Sequence, residues 1–83
     1  MKTEEIVIAI IREQSQIIGD SLAQHMAVST GVVRFNSSKT DDLTLTSQDS
    51  NLVINKLIDA YKQLFGQASV EVCNNVIKKY SKL

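Results

Sequence analysis

Glycine and proline are scarce in this chain, and that scarcity limits the places where its backbone can turn. The 83 residues include no proline and only three glycines, Gly19, Gly31 and Gly66. Glycine adopts backbone conformations that other residues avoid, so each glycine is expected to mark the end of a helix or a joint. Gly19 and Gly66 each follow a pair of large apolar residues inside helical sequence, which makes both of them predicted helix joints.

Apolar residues recur with a helical period on both sides of each joint. Thr3 is a predicted N-cap for the first helix, and Asp49 or Ser50 is predicted to cap the third, because their side-chain oxygens can accept from unpaired amides of the first turn. Gly31 occupies the position expected just after a helix end. The predicted helices are about 3–18, 20–30, 50–65 and 67–81.

The middle of the chain has a different pattern. "VVRF" at 32–35 and "LTLT" at 43–46 are short and rich in β-branched residues, and a polar loop separates them. This pattern predicts a β-hairpin, although an irregular loop is the alternative. The chain is therefore expected to be one domain over residues 1–83. Its predicted fold class is α+β, mostly α, with two glycine-jointed helix pairs flanking a short hairpin.

The two helical halves overlay when the chain is displaced by 47 residues, the separation of Gly19 and Gly66. Ile11 then meets Ile58, Gln16 meets Gln63, and the cap residue Thr3 meets Ser50. An internal duplication would give this correspondence, and so would any two helix–glycine–helix units with similar patterns. In either case the glycine has two possible roles. It ends one helix so that the next leaves at an angle, or it lets two helix backbones approach closely.

"LIDAYKQLFGQASVEVCNNVI", residues 57–77, resembles small helical modules at the tails of bacterial signalling proteins, some of them linked to roadblock-type GTPase regulators. The shared features are a helix, a tyrosine, a hydrophobe–glycine pair, a small residue two positions later and a second helix. Those modules often carry proline after the glycine, where this chain has Gln67 and, in the first half, Asp20. The resemblance implies an assembly or scaffolding role in signalling and supplies no catalytic residues.

Composition favours a protein that associates with itself. A chain this short buries only roughly 60–65% of its unfolded surface, and its core is expected to supply on the order of 3–5 kcal/mol. One cysteine and one histidine leave no disulfide within the chain and no Cys/His zinc cluster. Nine basic residues balance nine acidic ones, so little charge repulsion opposes association. We therefore expect a homodimer.

Residues with possible chemistry have simpler explanations. Cys73 and His25 are the candidate nucleophile and base, but a buried apolar-face cysteine and a solvated imidazole account for them. Asp41, Asp42 and Asp49 fit turns and caps better than a calcium site, which needs more converging oxygens. "KKYSK" near the end could contact nucleic acid, or form a solvated helix end with Tyr80 packed on its apolar side. No catalytic, cofactor-binding or metal-binding residue is predicted.

We expect a small cytoplasmic protein without catalytic activity, acting as a scaffold or regulatory module for an unknown protein partner. No segment is apolar enough to predict a membrane span, and without a basic stripe nucleic acid is an unfavoured partner. One alternative is a small nucleic-acid-associated regulator. Another is a small-ligand carrier or enzyme subunit with a pocket at the dimer interface. The candidate interface residues are Ile17, Ile18, Tyr61, Leu64 and Phe65.

Overall fold

Two helix pairs flank a β-hairpin in the computed structural model, which describes residues 3–81. This confirms the predicted fold class. Helix α2 ends one residue earlier than expected, and each strand is one residue shorter than its predicted segment. The elements are α1 (Thr3–Ile18), α2 (Asp20–Ser29), β1 (Val33–Phe35), β2 (Leu43–Leu45), α3 (Ser50–Phe65) and α4 (Gln67–Ser81).

The two joints are single glycines with a backbone conformation that L-residues avoid. Gly19 has φ 90° and ψ 155°, and Gly66 has φ 72° and ψ −150°. Each glycine N–H still closes the last turn of the preceding helix, with Gly19 N 2.8 Å from Ser15 O and Gly66 N 2.7 Å from Lys62 O. The chain then changes direction within one residue. A Cβ added at either glycine would meet nothing within 4 Å, so the alternative of close helix approach is wrong.

The hairpin pairs antiparallel, with Val33 opposite Leu45 and Phe35 opposite Leu43. These four side chains alternate with exposed residues and pack on the helices, mainly α1 and α2. Hydrogen bonds from Asn36 N to Asp42 O and from Thr46 N to Val32 O extend the pairing at both ends. The hairpin thus covers one side of the first helix pair. A two-stranded sheet of this length is only marginally stable alone, so its stability depends on that packing.

The helices of the two halves occupy equivalent positions along the chain. When 47 is added to the residue numbers of the first half, the bounds of α1 become those of α3, and the first residue of α2 becomes the first residue of α4. Thr3 and Ser50 are separated by the same 47 residues. Contacts follow the same rule, because α1 packs on α2 and α4 while α3 packs on α4 and α2. The two hydroxyls, Thr3 Oγ1 and Ser50 Oγ, hydrogen-bond to each other.

Thr3 was expected to be a cap, and the structure corrects this. Thr3 is the first helical residue of α1, and its hydroxyl bonds across the molecule to Ser50, the first residue of α3. The N-cap of α3 is Asp49, whose Oδ1 accepts from Leu52 N at 3.2 Å. The pairing of the two first-turn hydroxyls is a tertiary contact, and local sequence alone does not reveal it.

Gly66→Ala should lower the free energy of unfolding by about 1–3 kcal/mol, because an L-residue is strained at this φ even where space is open. D-alanine at the same position should retain stability, since the mirror image of φ 72° and ψ −150° is a favoured extended conformation for an L-residue. The chain is short enough for chemical synthesis, and urea unfolding would compare the three proteins. Equal destabilisation by both alanine enantiomers would contradict a purely conformational role.

Candidate functional site

A buried polar contact joins the middle of α1 to the start of α4. Gln14 is fully buried, and its Nε2 lies 3.3 Å from Ser69 O and 3.6 Å from Cys73 Sγ. The Ser69 hydroxyl returns a hydrogen bond to Gln14 Oε1 at 3.3 Å. Buried polar groups are costly unless they are paired, and here each amide atom of Gln14 has a partner. The contact therefore fixes the register of α1 against α4.

Tyr61 occupies the position in the second half that is equivalent to Gln14, and its side chain also hydrogen-bonds to a helix of the other half. Its ring is fully buried, and its hydroxyl donates to Ala23 O at 2.8 Å, linking α3 to the start of α2. Tyr61 was a candidate interface residue, and the structure places it in the core of its own chain. Its aromatic ring fills the space between helices, and its hydroxyl already has a partner inside the fold.

The hydrogen bonds of Gln14 and Tyr61 show how the long helices are placed relative to the two joints. Gln14 lies near the C-terminus of α1 and contacts the N-terminal part of α4, so the two helices run antiparallel. Tyr61 and Ala23 define the same arrangement for α3 and α2. The last turn of each long helix therefore lies beside the joint of the other half.

Four apolar residues precede the two joints, and we call them the joint patch: Ile17, Ile18, Leu64 and Phe65. Ile17 is 57% exposed, Leu64 44% and Phe65 39%, while Ile18 is half-buried against the core. Ile17 and Leu64 occupy equivalent positions, as do Ile18 and Phe65. The exposed glutamines Gln16, Gln63 and Gln67 border the patch, together with one exposed acidic residue, Asp20, and one exposed basic residue, Lys62. The joint patch is therefore an apolar surface with a polar rim, and it is built from equivalent positions of the two halves.

A groove between α1 and α4, which we call the α1–α4 groove, is a second surface feature. It consists of a cleft of about 410 Å³ that shares lining residues with a neighbouring cleft of about 200 Å³. The hairpin loop reaches its rim, where Asp41 forms an ion pair of 3.6 Å with Arg12 of α1. The apolar spacing along α1 is visible in the sequence, but the sequence does not show which helix lies opposite, so the groove is not predictable from it.

The candidate nucleophile and base are separated. Cys73 is buried on α4 beside Gln14, whereas His25 is exposed on α2. No hydrogen bond among residues 3–81 joins them. Burial raises the pKa of the Cys73 thiol, and the hydrogen bond from Gln14 only partly opposes that shift. A thiol with a raised pKa holds less thiolate near neutral pH, which makes it a poor nucleophile.

The acidic residues in and after the hairpin loop form hydrogen bonds and an ion pair that hold the local backbone and side chains in place. Asp42 accepts from the Asn36 side chain at 3.2 Å, Asp49 caps α3, and Asp41 pairs with Arg12. Within residues 3–81, no group of three or more His, Cys, Asp and Glu side chains is placed to hold a metal ion. The loop is also tied to α2, because Gln24 donates to Ser38 O and to Thr40 Oγ1.

Helix α4 carries the lysine-rich end of the sequence. Tyr80 is half-buried and packs against the core, and Lys79 is exposed beside it; the last lysine of "KKYSK", Lys82, lies outside the described residues. No basic residue precedes Lys78 on α4. The residues that are exposed earlier on this helix include Gln67, Glu71 and Asn74. In the part of the chain that the structure describes, no helix combines the length and apolar character needed to cross a bilayer.

No protein-family model, curated protein or solved structure matches this chain. The resemblance of residues 57–77 to modules of bacterial signalling proteins therefore stays a prediction.

The Gln14–Ser69 contact should show strong coupling between its partners. Gln14→Leu and Ser69→Ala should each lower the free energy of unfolding by about 1–3 kcal/mol, because each leaves a buried polar group unpaired. The double variant should lose less stability than the sum of the two single losses, with a coupling free energy of about 1 kcal/mol. Urea unfolding of the wild type, the two single variants and the double variant completes this double-mutant cycle. Additive losses would show that the contact does not act as a unit.

Stability should fall in alkaline solution because of two buried groups. Burial raises the pKa of the Tyr61 phenol, with a further contribution from nearby Cys73, and burial also raises the pKa of the Cys73 thiol. Their contribution is fully present below the unfolded pKa values, about 8.5 for Cys and 10 for Tyr. Above these values the unfolded chain loses protons first, so stability declines by up to about 1.4 kcal/mol per pH unit for each group.

Urea unfolding between pH 8 and 11.5 would measure this decline, and Tyr61→Phe should flatten the part that begins near pH 10. Tyr80→Phe is the matched control, because Tyr80 is the other tyrosine of the chain and is only half-buried. An alkaline decline that is the same in wild type and in Tyr61→Phe would contradict the assignment.

Proposed function

We propose that the protein is a non-catalytic interaction module that forms a homodimer through the joint patch. The observation that carries the proposal is the exposure of Ile17, Leu64 and Phe65 beside both joints, at one end of the molecule. Large apolar side chains that are clustered and surrounded by polar residues are typical of protein-binding surfaces. Scattered single hydrophobes, such as Val28 and Leu52 elsewhere on this surface, need no such explanation.

A second copy is the occupant that the joint patch fits best. Two-fold dimers use the same surface on both chains, so that surface must be complementary to itself. The joint patch comes from equivalent positions of the two halves, and its rim contains glutamines with one acidic and one basic residue, Asp20 and Lys62, so opposite charges are available to pair when two copies face each other. The neutral net charge of the chain adds no long-range repulsion.

The size of the interface sets a further requirement. A typical specific interface buries about 800 Å² per partner, or roughly one-sixth of the 5114 Å² surface of this protein. The joint patch would form the dry centre of such an interface. Its neighbours, including Leu22, which is also exposed close to Gly19, would complete the contact.

The wider role belongs to the same proposal. An assembly or scaffolding role is what the resemblance of residues 57–77 to modules of bacterial signalling proteins implies, and we expect the protein to be cytoplasmic. A dimer would present two copies of every remaining surface to a third protein. Two identical sites on one particle raise the apparent affinity for a partner that also carries two sites. The joint patch would thus assemble the module, and other surfaces would recognise the partner.

Leu64→Ser should weaken the dimer by about tenfold or more, because it removes an apolar side chain from the centre of the contact. Sedimentation equilibrium over a range of concentrations measures the dissociation constant directly. Leu52→Ser is the matched control. Leu52 is the same residue type on the same helix with nearly equal exposure, and it lies twelve residues, or about 18 Å, from Leu64.

Wild-type protein that remains monomeric throughout the concentration range would overturn the proposal. An equal effect of both substitutions would show that association is not centred on the joint patch.

A further inference from the structure

The α1–α4 groove is lined by matching stripes from two antiparallel helices. On α1 the lining residues recur at the spacing i, i+3, i+4, i+7, i+8, which is one face of a helix. They are Glu5, Ile8, Ala9, Arg12 and Glu13. The charged residues lie at the ends of this stripe, and the apolar residues lie between them.

The facing stripe on α4 has the same spacing. It contains Val72, Asn75, Val76, Lys79 and Tyr80. Eight residues of α-helix rise about 12 Å, so the two stripes define a groove of roughly two helical turns. A groove between two antiparallel helices, apolar along its middle and charged at its ends, has the shape and length to accept a third helix.

The second half of the same molecule provides an internal reference for the α1 stripe. Ile8 and Ala9 are half-buried, and the equivalent positions of α3 hold the exposed residues Asn55 and Lys56. The α3 helix carries an amide and an ammonium group on this face, although it contacts α4 and α2 as α1 contacts α2 and α4. Ile8 and Ala9 pack partly against the core of their own chain, and the apolar surface that they leave exposed in the groove distinguishes this face of α1 from that of α3.

The charges of the groove specify what would bind. Arg12 is already paired with Asp41, but no ion pair among residues 3–81 involves Glu5 or Glu13. Both glutamates are exposed, and they lie about 12 Å apart along α1. Lys79 projects from the opposite wall without an ion pair to any described residue. One wall therefore offers two negative charges two turns apart, and the other offers one positive charge.

We propose that the α1–α4 groove binds an amphipathic helix of a partner protein. The partner helix carries an apolar face two turns long and two basic residues seven or eight positions apart, which meet Glu5 and Glu13. An acidic residue on its other side meets Lys79. This inference goes beyond the homodimer, because the groove lies on a different surface from the joint patch.

The test is selection from a displayed library of 15-residue helical peptides against the full-length protein. Enriched sequences should combine apolar residues at i, i+3 or i+4, and i+7 with two lysines or arginines seven or eight positions apart. A synthetic peptide of the enriched sequence would then be titrated by fluorescence anisotropy at low and high salt. Binding should weaken as salt rises, because its charged contacts are exposed.

Two variants and one control assign the peptide to the groove. Glu5→Gln/Glu13→Gln keeps side-chain shape and should weaken binding about fivefold at low salt. Ala9→Lys places the residue of the equivalent α3 position into the groove floor and should weaken binding tenfold or more. The control, Asp59→Asn/Glu71→Gln, makes the same change in net charge at exposed positions that do not line the groove and should leave affinity unchanged.

Four results would overturn the proposal, and three of them come from the peptide experiments. The selection enriches no sequence, the enriched peptides lack the paired basic residues, or the groove variants bind them as wild type does. Loss of the homodimer in Ala9→Lys would also overturn it, because the groove would then be covered by a second copy. Leu64→Ser should bind the peptide normally, so failure of the homodimer and failure of the groove proposal are separate outcomes.

Discussion

The backbone conformation of two glycines determines how the rest of this molecule is arranged. At Gly19 and Gly66 the chain takes a positive φ after the last helical hydrogen bond, and the next helix starts with the following residue. Each half therefore forms an angled helix pair with no loop between its members. Each long helix packs on the second helix of its own half and also on the second helix of the other half.

The buried polar contacts convert this interlocked arrangement into one defined register. Gln14 and Tyr61 occupy equivalent positions, and both hydrogen-bond to a backbone carbonyl near the start of the facing helix. In a purely apolar interface, a helix that shifts along its neighbour would lose little stability. A shift of α1 along α4 would instead leave the amide of Gln14 unpaired inside the core. No buried side-chain nitrogen or oxygen of the described residues lacks a hydrogen-bond partner.

The two halves share a frame but differ on their surfaces. The hairpin packs mainly on the first pair, and its loop brings Asp41 to Arg12 at the rim of the α1–α4 groove. At the positions of α3 equivalent to Ile8 and Ala9, the exposed residues are Asn55 and Lys56. The repeated frame therefore has unequal faces: the α1–α4 groove, and a cleft of about 290 Å³ between α2 and α3 that is lined mainly by polar residues. The joint patch is the surface proposed for self-association, and the α1–α4 groove is the surface proposed for recognition of a different chain.

Local sequence patterns determined much of the fold. Helical periodicity, the lack of proline and the two glycines placed four helices and two joints, and β-branched alternation placed the hairpin, because each of these depends on residues close in the chain. Ile17, Leu64 and Phe65 were also recognised as surface candidates from their place beside the joints. Only the tertiary structure decided that Tyr61 is buried, that Thr3 bonds to Ser50 and that α1 and α4 form a groove. These features depend on which face of one helix meets another distant in sequence, and periodicity identifies an apolar face without identifying its neighbour.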